Sequence, residues 1–188
     1  MNVICTVEPV LEPITVDEQQ AWSRITDEGE GATIEGLITT ARIMVEQYTR
    51  RALMTKTMAA RFDCFPSWFE LEFPPLQSIT SVEYIDTAGA TQSVSSANYF
   101  ADLYSTPCRI FPIPSYTWPS TQDGRPNVVI VTYVAGYTSA SLVPSPIRTA
   151  ISMLVDHLYE HRGPVLIGQT LAEIPFSVTH LLGPWRVF

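Results

Sequence analysis

TIEGLITTARIMVEQY, residues 33–48, repeats its apolar side chains at Ile34, Leu37, Ile38, Ala41, Val45 and Tyr48. That is the i, i+3, i+4, i+7 rhythm of a helix with one buried face. PIRTAISMLVDHLYEHR, residues 146–162, does the same through Ile147, Ala150, Ile151, Leu154, Val155, Leu158 and Tyr159. The long stretch between them holds most of the prolines and turn signals. Two one-sided helices this far apart in sequence bury their stripes by packing on each other. The expected class is therefore α+β: a small helical bundle, with two N-terminal helices plus one long C-terminal helix, carrying an inserted antiparallel β subdomain. The expected parts are an N-terminal helical region over 1–54, the β-rich insertion over 55–136, the C-terminal helix over 137–163 and an extended tail over 164–188.

Local signals fill in this plan. Residues 1–13 read as extended chain broken by Pro9 and Pro13. Thr15-Val16-Asp17-Glu18 fits the S/T-x-x-E capping box, in which hydroxyl and carboxylate each satisfy a free backbone N–H. The short helix it opens runs to about Ile25, and Asp27 to Gly31 is an acidic turn. Arg50-Arg51 suits a helix C-terminus. Phe69-Glu70-Leu71-Glu72-Phe73 alternates as a half-buried strand does, and Pro74-Pro75 stops it. Ile79–Ile85, a turn at Asp86–Ala90 and Thr91–Val94 read as a hairpin. Tyr99–Leu103 and Arg109–Ile113 are further short strands. Asn127–Ala135 is the most β-branched run and the expected central strand. Ser145 is the expected N-cap of the last long helix, Pro146 its first residue and Gly163-Pro164 its end.

Composition narrows the function classes. The chain has 188 residues, is 46% hydrophobic and carries a net charge of −8. That supports a real core, and no apolar run reaches the roughly 18 residues of a membrane span. The N-terminus, with Glu8 and Glu12 and no basic start, does not read as a signal peptide. The charge is front-loaded: nine acids through Glu46 face only Arg24 and Arg42, a balance of −7. Without a basic stripe the chain is a poor candidate for gripping nucleic acid. Cys5, Cys64 and Cys108 are odd in number and widely spaced, which fits neither a disulfide framework nor a metal knuckle.

One chemical motif stands out. His157-Leu158-Tyr159-Glu160-His161 fits H-x-x-E-H, with both imidazoles on one helical face for zinc and Glu160 as the base. It lies in the last turn of its helix, where histidine is favoured by the dipole alone, so these three residues are expected to be a decoy with no metal. There is no G-x-S-x-G elbow, P-loop or G-x-G-x-x-G, and no cofactor is expected. Trp118, Tyr116, Trp68 and Phe69 could stack bases, but without interleaved Arg or Lys they read as packing or protein contacts. Trp185 ends an apolar tail that either folds back on the bundle or docks into a neighbour.

The order of segments resembles one family. Ala41-Arg42-Ile43-Met44-Val45-Glu46-Gln47-Tyr48-Thr49-Arg50-Arg51-Ala52-Leu53 comes first. Pro74-Pro75-Leu76-Gln77-Ser78-Ile79-Thr80-Ser81-Val82-Glu83-Tyr84-Ile85-Asp86 follows, then Val131-Thr132-Tyr133-Val134-Ala135-Gly136-Tyr137, Val143-Pro144 and Ile147 to Arg162. Together they resemble the head–tail connector (adaptor) proteins of tailed bacteriophages, the gp6-like connector family. The resemblance implies a non-enzymatic virion protein at the head–tail interface, assembled in the host cytoplasm. It also implies a ring of about twelve copies closed by heterologous contacts. Such a ring binds the portal protein on one side and a stopper or tail protein on the other. DNA passes through it without specific binding, and no membrane is involved.

Within that expectation Asp17, Glu18, Asp27, Glu28 and Glu30 face the channel and repel DNA phosphates. Ile174, Phe176, Leu181, Leu182, Trp185, Val187 and Phe188 contact the portal or another partner. Arg42, Arg50 and Arg51 pair with acids of the adjacent subunit or of the same chain. The alternatives are another neck component (a stopper or tail-terminator), a zinc hydrolase using His157 and His161, and a single-strand nucleic-acid binder.

Overall fold

The computed structural model describes residues 2–161 and 176–187. The chain forms two compact units. One comprises residues 1–10 and 55–137, the other residues 11–54 and 138–188.

The second unit is helical. α1 (Val16–Ser23) opens with the expected capping box: the Thr15 hydroxyl accepts from the Glu18 N–H, and the Glu18 carboxylate accepts from the Thr15 N–H at 2.9 Å. α2 (Gly31–Thr49) buries Ile34, Ile38, Ala41 and Val45. α3 (Ser145–Glu160) buries Ile147, Ala150, Ile151, Leu154 and Val155. The two helices pack on each other, as their periodicity requires. Each fully buried aliphatic side chain contributes about 1.5–3 kcal/mol. α4 (Phe176–Leu182) is a fourth helix that the sequence reading left as tail. It buries Val178 and Leu182 and packs on α3.

Helix ends differ from expectation in detail. Ser145 lies inside α3, and Pro144 takes the cap position without a side-chain bond. α3 stops at Glu160, short of Gly163, where the His161 N–H donates to the His157 carbonyl.

The first unit is built from two antiparallel sheets. The larger has the order β1-β2-β8-β4-β5. Its strands are β1 (Asn2–Val7), β2 (Lys56–Phe62), β4 (Leu76–Ile85), β5 (Thr91–Ser93) and β8 (Val129–Ala135). The smaller has the order β3-β7-β6, from β3 (Phe69–Leu71), β6 (Tyr99–Asp102) and β7 (Cys108–Pro112). β8 is the central strand, as its β-branched run suggested, with Val131 opposite both Ala60 and Val82. Met58, Ala60, Val82, Val131 and Tyr133 are buried in the larger sheet; Phe69, Leu71 and Ile110 are buried in the smaller. Phe62 meets Phe69 edge-on at 4.8 Å, and the Tyr133 hydroxyl donates to the Glu72 carbonyl at 2.9 Å. Burial holds the Tyr133 phenol well above its ordinary range.

The first ten residues go with this sheet, where the sequence reading put them with the helices. β1 adds to β2 as an edge strand, with Val3 opposite Ala60. Exposed and half-buried side chains alternate from Asn2 to Thr6, but apolar Val3, Ile4 and Cys5 fall in a row, so the residue types carry no period-2 signal.

Candidate functional site

The histidine motif lies at the end of α3. The His157 and His161 rings lie 4.6 Å apart at the end of α3, and the His161 Nδ1–H donates to the His157 carbonyl at 2.9 Å. That bond leaves His161 only its Nε2 as a ligand atom. Among the described residues no group of three His, Cys, Asp or Glu side chains could hold a metal ion.

The helical unit's charges are largely engaged within the chain. Arg42 is 2% exposed. Its Nε donates to Glu12 at 2.7 Å and its Nη1 to Glu46 at 3.0 Å. Glu12 also accepts from the Thr39 hydroxyl at 2.8 Å, and Glu46 from the Leu53 N–H at 2.8 Å. The arrangement pins both the lead into α1 and the exit from α2 to one face of α2. Arg42 therefore pairs with acids of its own chain, one of the two placements the sequence left open. Arg51 is likewise turned inward, its Nε donating to the Trp185 carbonyl at 2.6 Å. Arg50 ends α2 in the left-handed conformation at φ 52° and is exposed.

The expected channel acids divide. Glu18 caps α1 and accepts from Arg148 at 2.7 Å. Bonding to the Thr15 backbone, then to Arg148, holds its carboxyl below the usual carboxylate range. Asp27 accepts from the Gly29 N–H at 2.8 Å and caps the 3-10 turn Glu28–Glu30. Asp17 is exposed on the first turn of α1. Glu28 and Glu30 sit on that 3-10 turn, next to α2. A further acid, Asp156, holds α1 against α3: it accepts from Gln19 at 3.0 Å, Trp22 at 2.8 Å and Ser23.

The tail also divides. Ile174 and Phe188 lie outside the described residues. Leu182 is buried, Leu181 and Trp185 are half-buried, and the Val187 N–H donates to the Thr49 carbonyl at 2.9 Å. The Arg186 guanidinium lies 5.4 Å from the Tyr48 ring centre. These residues fold back on the helical unit. Phe176 is the exception, 84% exposed.

The aromatics of the β unit form an internal cluster and an external row. Trp118 stacks on Phe65 at 5.0 Å and meets Phe69 and Tyr116 edge-on, so these rings pack against each other. On the outer face of the smaller sheet Phe100 stands opposite Phe111, and Trp68 lies 6.3 Å from Phe111. Trp68 and Phe100 are about half exposed. Beside this row Glu70, Arg109 and Asp102 occupy paired positions on the three strands. A groove of about 500 Å³ next to it is lined by Phe62, Pro66, Ser67, Trp68 and Glu70. Sequence reasoning picked out Trp68 but not this row, because Phe100 and Phe111 become neighbours only through the β6–β7 register.

No protein-family profile matches the chain, and no curated protein matches it. Solved structures do. The chain is similar to a protein in the neck of an empty gene transfer agent particle computed with C6 symmetry. The TM-score is 0.81 at 22% identity, covering 100% of this chain and 96% of that one. It is similar to a chain of the native gene transfer agent virion, with a TM-score of 0.80 at 20% identity, covering 100% and 96%. A chain from the native gene transfer agent neck computed with C12 symmetry gives a TM-score of 0.69 at 21% identity, covering 97% and 96%. The whole chain thus has the fold of components found in phage-like necks and virions.

Proposed function

We propose that this protein is a structural, non-enzymatic subunit of a phage-like neck. In this reading it forms a ring of about twelve copies closed by heterologous contacts, which adapts the portal to the next neck or tail component and extends the DNA channel. The observation that carries the proposal is full-length similarity of fold to chains in neck assemblies computed with C6 and C12 symmetry.

The exposed Asp17 and the acids of the Asp27–Glu30 turn supply negative charge that would keep DNA from adhering to a channel wall. Glu18 acts instead as a cap and ion-pair partner. A stopper or tail-terminator is the second reading, since the matched chains come from necks as a whole.

Native mass spectrometry with negative-stain imaging across a concentration range tests the proposal. Closed rings with a central hole are the expected result. A monomer at every concentration would overturn self-assembly. Purified portal protein then separates adaptor from stopper, because an adaptor ring binds it directly.

A further inference from the structure

Among the described residues of the helical unit, Phe176 is the large apolar side chain most open to solvent, ahead of Leu11, Leu142 and Trp22. Phe176 is 84% exposed, and its ring stacks on His180 at 6.2 Å. The segment 176–187 around it contains His180 and Arg186 and no acid, in a chain of net charge −8. The β unit carries the complement. Its groove of about 500 Å³ is walled by Phe62, Pro66 and Trp68, with Glu70 at its rim. At that rim Glu70 lies 3.7 Å from the Arg109 Nε of the next strand, and Asp102 stands opposite Arg109 on the strand beyond, so the three side chains together leave one negative charge.

We propose that Phe176 of one copy seats in the Phe62–Pro66–Trp68 groove of a second copy, with His180 turned toward Glu70. This rests on the ring reading. Apolar meets apolar at the centre, and an acid-free segment meets an acid-rimmed one at the edge. A buried aromatic anchor ringed by polar contacts is the usual site of concentrated binding energy. The two surfaces differ, so every copy uses both. The contact therefore propagates in one direction, and it closes as a ring when the rotation from copy to copy divides a full turn.

Four full-length proteins test this: wild type, Phe176→Ser, Trp68→Ala, and a cysteine pair Ser177→Cys with Ser67→Cys in a Cys64→Ser background, which keeps Phe176 in place. Native mass and thermal melting are read on the first three. Wild type is expected to form rings, and Phe176→Ser and Trp68→Ala to lose them with unchanged circular dichroism. Oxidation of the cysteine pair should give a ladder of cross-linked multimers, absent when either new cysteine is omitted. The ladder decides the matter if Trp68→Ala melts early. Rings that survive Phe176→Ser, with no ladder, overturn the inference and leave the ring reading standing. Loss of portal binding by Phe176→Ser with rings intact assigns the side chain to another partner and also overturns it. A wild type that stays monomeric overturns both.

Discussion

Arg42 keeps a full charge almost without water because two carboxylates close on it from positions far apart in the chain, Glu12 thirty residues before it and Glu46 one helical turn after it. Removing one partner of such a group leaves an uncompensated buried charge, which costs about 3–5 kcal/mol. Arg42→Ala should lower unfolding stability by that order in urea, and Arg42→Met by less, since it removes the charge while filling more of the space. Equal losses would mean that the lost charge pairing, not packing, decides the site. The sequence leaves the partner of Arg42 open between the same chain and an adjacent subunit, because the distant partner Glu12 leaves no local trace.

Glu18 behaves oppositely, with a capping box legible in four residues. Its folded pKa is lowered below the ordinary 4.5, so its contribution is complete above that value and fades as pH falls through the lowered one. Glu18→Gln should therefore be less stable than wild type at neutral pH and converge with it in acid. Melts from pH 7 to pH 3 check this, and a constant difference would contradict it.

At the scale of elements, what could be read from sequence follows the length of the pattern. α2, α3 and β8 have long, regular runs and appear where their periods put them. α4 has seven residues, too few for an isolated helix, and exists because α3 accepts Val178 and Leu182. Residues 176–187 are consequently part of the helical core and not an appendage that can be removed without consequence. Leu182→Ala should cost about 2–5 kcal/mol, as deletion of a fully buried leucine does. Denaturant midpoints measure it, and a loss under about 0.5 kcal/mol would make the docking of α4 incidental, given that ordinary surface substitutions fall in that range. β1 and the aromatic row escaped sequence reading for a related reason: both owe their positions to strands distant in the chain.

For the whole molecule, charge sets the relation to DNA. Phosphate binding depends on clustered cations and weakens steeply with salt. A chain at −8 whose Arg42 and Arg51 are turned inward should not retard duplex DNA in a mobility-shift assay from about 50 to 200 mM salt, the range over which phosphate-driven binding collapses. A complex that dissolves as salt rises would contradict a repelling channel.

The interleaving of the two units also has a consequence in time. α2 packs on α3, and β2 pairs with β8, so each unit waits for residues made much later in the chain. During synthesis the stripe of α2 emerges roughly a hundred residues before its partner, a delay on the order of ten seconds at ~5–20 residues per second. Until then Ile34, Ile38 and Val45 have no α3 to cover them, so the nascent chain is at its stickiest while still on the ribosome. A ring built from many copies thus depends on each chain being finished before its neighbours are met.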